Sequence, residues 1–227
     1  MNIALILAGG AGTRLGEDIP KQYIMVRKRP IIAYVLDLFM QHKSGDAIQV
    51  VADPVWHDTI DACVAHSDKF RGYSIPGATR QLSIWNGLTD IRGYAKDDDL
   101  VIIHDAARPC LSEELLQCCI DTAREHDGAM PVLPMKDTVY FSEDGRQVSS
   151  LLDRSCIFAG QAPEVFRFGK YIAANNALLP ERIQSVNGST EPAILAGMDI
   201  ALVDGEEKNF KITTQQDLQR FCDLMGE

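Results

Sequence analysis

Ile3-Ala4-Leu5-Ile6-Leu7-Ala8-Gly9-Gly10-Ala11-Gly12-Thr13-Arg14-Leu15-Gly16 opens the chain with an apolar run that ends in a glycine-rich turn. A short apolar run bounded by glycines reads as a buried strand. Glycines directly after a strand let the backbone approach a ligand and turn its N–H groups toward phosphate oxygens. The segment therefore predicts the first βα turn of an open α/β sheet, with a nucleotide seated on it. Two common glycine motifs fail on spacing. A dinucleotide fingerprint starting at Gly10 needs glycine or alanine where Leu15 stands, and a P-loop needs a Gly-Lys-Ser/Thr that is absent. What remains is a glycine loop carrying one cation, Arg14, with another, Lys21, close behind in Pro20-Lys21-Gln22-Tyr23. Two cations beside a backbone cradle suit a triphosphate whose α-phosphorus must be made electrophilic. A simpler account stays open at this point: the turn closes a βα unit, and Arg14 and Lys21 are surface charges.

Further along the chain, short apolar runs alternate with amphipathic stretches, the pattern of strands and helices interleaved in a mainly parallel sheet. Strands are predicted over 3–7, 47–52, 100–104 and 129–133. Pro30 reads as the first residue of a helix carrying Ile31, Ile32, Val35, Leu38 and Phe39. A second helix over 80–91 sets Ile84, Trp85, Leu88 and Ile91 on one side, with Trp85 in the core, and a third begins with Ser112 as N-cap before Glu113 and Glu114. Residues 137–158 differ: short alternating pieces around Glu143-Asp144-Gly145 predict a β-hairpin arm suited to subunit contact. A strand over 200–203, an extended piece over 209–212 and a helix capped by Thr213 or Thr214 complete the reading.

With 227 residues the chain can bury a substantial core without metals or disulfides, and a single domain over 1–227 is the expectation. A hydrophobic fraction of 46% and no low-complexity tract point to an ordered globular protein. The net charge of −10 argues against nucleic acid or an anionic membrane as main partner, yet leaves room for a small anion held by a few cations and backbone N–H groups. Six cysteines without CxxC spacing suit reduced thiols in a cytoplasm better than a disulfide framework or a zinc site. The opening apolar run lacks a basic flank and meets glycine too early for a signal peptide, and no stretch has the length of a membrane span.

Four motifs then occur in a fixed order: LAGGAGTRLG (7–16) with PKQY (20–23), GATRQLSIWNGL (77–88), HDAARP (104–109) and NFKITTQQDL (209–218). With them the chain resembles the methylerythritol-phosphate and ribitol-phosphate cytidylyltransferases over essentially its whole length. The resemblance implies a three-layer, Rossmann-like nucleotidyltransferase fold with a mainly parallel mixed sheet and a protruding β-arm. It implies transfer of CMP from CTP to a polyol phosphate, with Mg²⁺ or another divalent cation, in a homodimer. Because the acceptor phosphate is already anionic, no serine, histidine or cysteine nucleophile is needed. Catalysis then consists of holding two polyanions in line and neutralising the charge that gathers between them.

Residue by residue, the resemblance puts Arg14, Lys21 and Lys211 on the phosphates as catalytic cations. It puts Leu7, Ala8, Gly9, Gly10, Gly12, Thr13, Gly77, Arg80, Ser83, Asp105 and Ala106 around the nucleotide, with Asp105 also the metal ligand. His104 reads as packed, and Arg108 as pinning a loop through carbonyls. Arg154, from the arm, would reach the acceptor phosphate of the neighbouring subunit. Ala162 and Asn187 would face the acceptor, where this sequence departs from the family: Gln161-Ala162-Pro163 stands for Gln-Thr-Pro, and Asn187-Gly188 for Thr-Asp. Ala78 replaces an acidic residue near the base. LAGGxGTR and Gly160-Gln161 look closer to the ribitol-phosphate branch, and HDAARP to the methylerythritol-phosphate branch, so both acceptors stay open with D-ribitol 5-phosphate ahead of 2-C-methyl-D-erythritol 4-phosphate. Two further readings stay open: a sugar-phosphate nucleotidyltransferase using another NTP, and a non-catalytic nucleotide-binding sensor or scaffold.

Overall fold

The computed structural model describes residues 1–10 and 19–226. Its elements in chain order are β1 (Asn2–Leu7), β2 (Met25–Val26), β3 (Arg29–Pro30), α1 (Ile31–Gln41), β4 (Ala47–Val51), α2 (His57–Val64), β5 (Phe70–Ser74), α3 (Arg80–Ile91) and β6 (Leu100–Asp105). They continue with α4 (Glu113–Glu125), β7 (Gly128–Pro134), β8 (Val139–Phe141), β9 (Ser150–Leu152), β10 (Phe158–Gly160), β11 (Glu164–Arg167), α5 (Phe168–Asn176), α6 (Glu191–Leu195), β12 (Ile200–Asp204) and α7 (Gln215–Met225).

The main sheet runs β10-β7-β11-β6-β1-β4-β5, with β12 on the other side of β7. β1, β4, β5 and β6 are mutually parallel, and β12 is parallel to β7, whereas β11 lies antiparallel between β6 and β7. Alternation along the parallel strands separates two apolar layers. Ala4, Ile6, Ile48, Val50 and Ile102 face α1, α2 and α4, where they meet Leu36, Phe39, Ile60 and Leu116. Ile3, Leu5, Val51, Val101 and Ile103 face the other way, onto Ile84 and Leu88 of α3 and Phe168 and Tyr171 of α5. The result is the helix–sheet–helix sandwich expected from the sequence, with the mixed sheet that the resemblance implies.

The helix starts follow their caps. Thr79 accepts from the Leu82 N–H at the start of α3, Ser112 accepts from the Leu115 N–H at the start of α4, and Thr214 forms a reciprocal capping box with Asp217 on α7. Pro30 ends β3 and caps α1, so that helix begins one residue later than predicted. Trp85 is half-buried and packs on the edge of the α3 layer. The stretch 209–212 is an irregular segment, not a strand, anchored where the Ile212 N–H donates to the Ala107 carbonyl at 2.9 Å. In the 137–158 region β8 and β9 pair as a separate two-stranded ribbon, and Asp144 Oδ1 accepts from the N–H groups of Arg146 and Gln147 in its turn. Unpredicted elements are β2, β3, α2, β5, β10, β11, α5 and α6. Among the described residues no helix is long and apolar enough to cross a membrane, and all six cysteines are free thiols.

Candidate active site

In an open α/β sheet, ligands gather at the carboxyl ends of the strands where the order of connection reverses. Here that place is β1, with β6 on one side and β4 on the other. The register sets Leu7 of β1 directly beside Asp105 of β6, so the glycine turn and the HDAARP motif leave the sheet as neighbours. α3 points its N-terminus at the same edge, adding the positive end of its dipole.

A cavity of about 440 Å³ opens there. Its walls come from Leu7, Gly9 and Gly10 at the end of β1, Lys21 and Gln22 from the following segment, Gly77, Ala78, Thr79, Arg80 and Ser83 at the start of α3, Asp105 and Ala107 at the end of β6, and Lys211 and Thr213. The glycine turn is held from behind: Gln22 Nε2 donates to the carbonyls of Ala8 at 2.6 Å and Gly10 at 2.9 Å, and the Tyr23 hydroxyl donates to Ala8 at 3.2 Å. Ser83 Oγ accepts from the Gly77 N–H at 3.0 Å, which fixes the approach to α3. Among the described residues nothing lies within 4 Å of where a Cβ on Gly10 would stand, and Gly10 lines the cavity.

Asp105 is the electrostatic centre. Lys211 Nζ donates to its Oδ2 at 2.9 Å, Arg80 Nη2 lies 3.2 Å from Oδ1, and Arg108 Nε lies 3.6 Å from Oδ2. Burial alone would raise the pKa of this carboxyl, but the charges of Arg80 and Lys211, and then of Arg108, outweigh it and hold the group well below the usual carboxylate range. Asp105 is therefore ionised at neutral pH. Lys211 is aimed by its neighbours: Arg108 Nη1 donates to the Asn209 carbonyl at 2.7 Å, Asn209 Nδ2 donates to the Ala162 carbonyl at 2.7 Å, and Ile212 is tied to Ala107. His104 is fully buried, its Nε2 donates to the Arg108 carbonyl at 3.1 Å, and burial lowers its pKa to about 4, so it is a neutral structural group.

A second cavity, of about 480 Å³, adjoins the first and shares Arg80, Asp105 and Lys211 with it. Its far wall includes Met130, Gly160 to Ala162, Glu164 and the 187–191 segment. Glu164 accepts from the Ser189 hydroxyl and from Thr190 Oγ1 at 3.1 Å, and Arg80 Nη1 donates to Ser189 Oγ at 2.8 Å. Burial pushes the Glu164 carboxyl up to about 7, against the pull of Arg80 and helped by the charge of Asp105.

The structure thus brings together Leu7, Gly9, Gly10, Lys21, Gly77, Arg80, Ser83, Asp105 and Lys211 in one cavity, and Ala162 and Asn187 in its neighbour. Three of the expected residues line neither cavity of this chain. Ala8 is buried, and both its N–H and its carbonyl are engaged inside the protein. Ala106 is buried with its N–H on the Leu7 carbonyl, and Ala107 takes its place on the wall. Arg154 lines neither cavity: it is exposed below β9, with Nη1 donating to the Lys136 carbonyl at 2.7 Å. Gly12, Thr13 and Arg14 lie outside the described residues. Gln22, Glu164 and Ser189 were not singled out from the sequence. Gln22 sits inside the quoted PKQY motif and could have been, whereas nothing local marks the other two.

Comparison with known proteins gives the family. The family model of 2-C-methyl-D-erythritol 4-phosphate cytidylyltransferase matches residues 2–225. A protein of that name from Geobacter metallireducens is 37% identical, with 95% of this chain and 93% of its own length aligned. A ribitol-5-phosphate cytidylyltransferase from Streptococcus agalactiae is 31% identical, with 97% and 93% aligned. The crystal structure of a 4-diphosphocytidyl-2C-methyl-D-erythritol synthase from Anaerococcus prevotii superposes with a TM-score of 0.84 at 27% identity, covering 100% of this chain and 96% of that one. The Francisella tularensis 2-C-methyl-D-erythritol 4-phosphate cytidylyltransferase gives 0.83 at 26% identity, with 97% of each chain covered. A match from the first strand to the last helix leaves one assignment: the chain belongs to the 2-C-methyl-D-erythritol 4-phosphate cytidylyltransferase family of nucleotidyltransferases.

Proposed function

We propose that the protein transfers CMP from CTP to a polyol phosphate, forming a CDP-polyol and pyrophosphate. The observation that carries this is the meeting of two cavities at Arg80, Asp105 and Lys211. A two-substrate transfer needs two adjoining pockets with cations at their junction, because both reactants are polyanions and the reaction joins them there. A phosphate oxygen of the acceptor attacks the α-phosphorus of CTP, the new P–O bond forms, and the bond to the β-phosphate oxygen breaks with its electrons leaving on pyrophosphate. Lys21, Lys211 and Arg80 offset the charge that builds up, and alignment lowers the entropic barrier. Proteins with both acceptor names are similar to this chain; D-ribitol 5-phosphate is the first acceptor to test and 2-C-methyl-D-erythritol 4-phosphate the second.

We read Mg²⁺ as an ion shared between Asp105 and the triphosphate in the first cavity. Among the described residues no group of three or more His, Cys, Asp or Glu could hold a metal on its own. Mg²⁺ commonly binds through one or two carboxylates together with substrate phosphates and water, and Asp105 supplies one ionised carboxylate at the cavity wall. When bound, the ion would neutralise triphosphate charge and polarise the α-phosphorus. We further read the β8–β9 ribbon as a dimerisation arm that carries Arg154 to the acceptor cavity of a second copy.

The test is pyrophosphate release with Mg²⁺, each NTP in turn, and both polyol phosphates. Release is expected with CTP and one of the acceptors. No release from any pair would overturn the enzymatic assignment, and preference for another NTP would overturn its cytidylyl part. Lys21→Ala is expected to lower turnover about 10²- to 10³-fold with the melting temperature retained, and near-normal turnover would remove Lys21 from the site.

A further inference from the structure

Three carboxylates border the second cavity, Asp105, Glu164 and Glu191, and each is differently engaged. Asp105 is held by cations. Glu191 accepts from the Asn187 N–H at 2.8 Å and closes its own loop. Glu164 is different. It is the first residue of β11, opposite Ile103 of β6, so its side chain emerges at the same sheet end as Asp105. The side chain is only 12% exposed, and that exposure is toward the cavity it lines.

A carboxylate offers about four acceptor positions on its two oxygens. The Ser189 and Thr190 hydroxyls each take one. Arg80 Nη2 is 3.9 Å away, beyond hydrogen-bond distance, and reaches Glu164 through Ser189 instead. Acceptor positions therefore remain, on the side of Glu164 that faces the cavity. The ligand chemistry that completes such a group is a hydroxyl donor. A phosphate is drawn instead to the cations that line the same cavity, Arg80, Arg108 and Lys211.

We propose that Glu164 is the specificity-determining hydroxyl acceptor of this cavity: its carboxylate receives hydrogen bonds from hydroxyls of a polyol phosphate whose phosphate lies toward Lys211. The proposal rests on the polyol-phosphate function above. It sets the acceptor's direction, with the phosphate at the junction of the cavities and the hydroxylated chain against β11. It also makes the cavity selective against acceptors carrying an anion at the far end, which Glu164 would repel.

The experiment compares wild type, Glu164→Gln and Glu164→Asp by calorimetry, with D-ribitol 5-phosphate, 2-C-methyl-D-erythritol 4-phosphate, n-propyl phosphate and CTP as probes. The first variant removes the charge at constant shape; the second keeps the charge but withdraws it, and serves if the first does not fold. Either is expected to weaken the preferred polyol phosphate about ten-fold or more, with n-propyl phosphate and CTP changed less than about two-fold. An unchanged polyol affinity overturns the proposal. So does an equal loss for n-propyl phosphate or CTP, which would mean that Glu164 only positions Arg80. Wild-type binding of a polyol phosphate without turnover would sink the transfer reaction while leaving the Glu164 comparison readable. Wild-type failure to bind either polyol phosphate overturns the proposal itself.

Discussion

Asp105 and Glu164 both lie beside Arg80 Nη2, at 3.2 and 3.9 Å, and the protein treats the two carboxyls in opposite ways. Asp105 is charged by its cations, whereas burial holds Glu164 at about 7. The consequence for stability is directional. A carboxyl with a raised folded pKa stabilises the fold most when protonated, so the contribution of Glu164 is complete below its ordinary 4.5 and is lost as pH rises through about 7. Glu164→Gln, which cannot ionise, is expected to gain in melting temperature relative to wild type between about pH 5 and about pH 8, each kcal/mol appearing as roughly 2–4 °C at this chain length. A difference constant across that range would show that Glu164 titrates normally. Arg80 joins the two halves of the site. Because it touches both Asp105 and Ser189, Arg80→Ala is expected to raise KM for CTP and for the acceptor together, the pattern that Glu164→Gln should not show.

At the scale of elements, the start of α3 is the most constrained wall of the nucleotide cavity. A Cβ on Gly77 would stand 2.7 Å from the Leu82 carbonyl carbon and 2.8 Å from the Ser83 nitrogen, both backbone atoms of the first helical turn. Neither can move without shifting the helix. Gly77→Ala is therefore expected to cost about 1–3 kcal/mol of stability and to weaken CTP binding, measurable by thermal melts with and without CTP; an undisturbed melt would place the 77–83 turn elsewhere. This helix was legible in the sequence because cap and periodicity agree: Thr79 caps, and Ile84, Leu88 and Ile91 share a face. The parallel strands were legible for a related reason, since burial on both faces leaves continuous apolar runs. β5, with Phe70-Arg71-Gly72-Tyr73-Ser74, has no such run, and β11 is four residues long directly after Pro163. Glu164 was hidden for the same reason. Its hydroxyl partners are 25 and 26 residues away, brought in by a crossover that no local pattern announces.

On the scale of the whole molecule, the sheet converts sequence order into proximity: motifs from residue 7 to residue 213 meet around one cavity because β1 and β6 are in register at Leu7 and Asp105. Arg154 does not join them. Arg154 stays with the β8–β9 ribbon, whose Tyr140, Phe141 and Leu151 are exposed. A two-stranded ribbon is marginal alone in water, and an exposed apolar face on it asks for cover. If the cover is a second copy, a symmetric exchange of arms lets each Arg154 serve the other copy's acceptor cavity. Mixing two inactive variants decides this. Arg154→Ala keeps an intact cavity with a deficient arm; Lys211→Ala keeps an intact arm with a deficient cavity. After subunit exchange, mixed dimers should hold one complete site in two, and random mixing makes about half the dimers mixed, so about one quarter of wild-type activity should return. Arms that serve their own cavities would return none, because every site would then lack either Arg154 or Lys211.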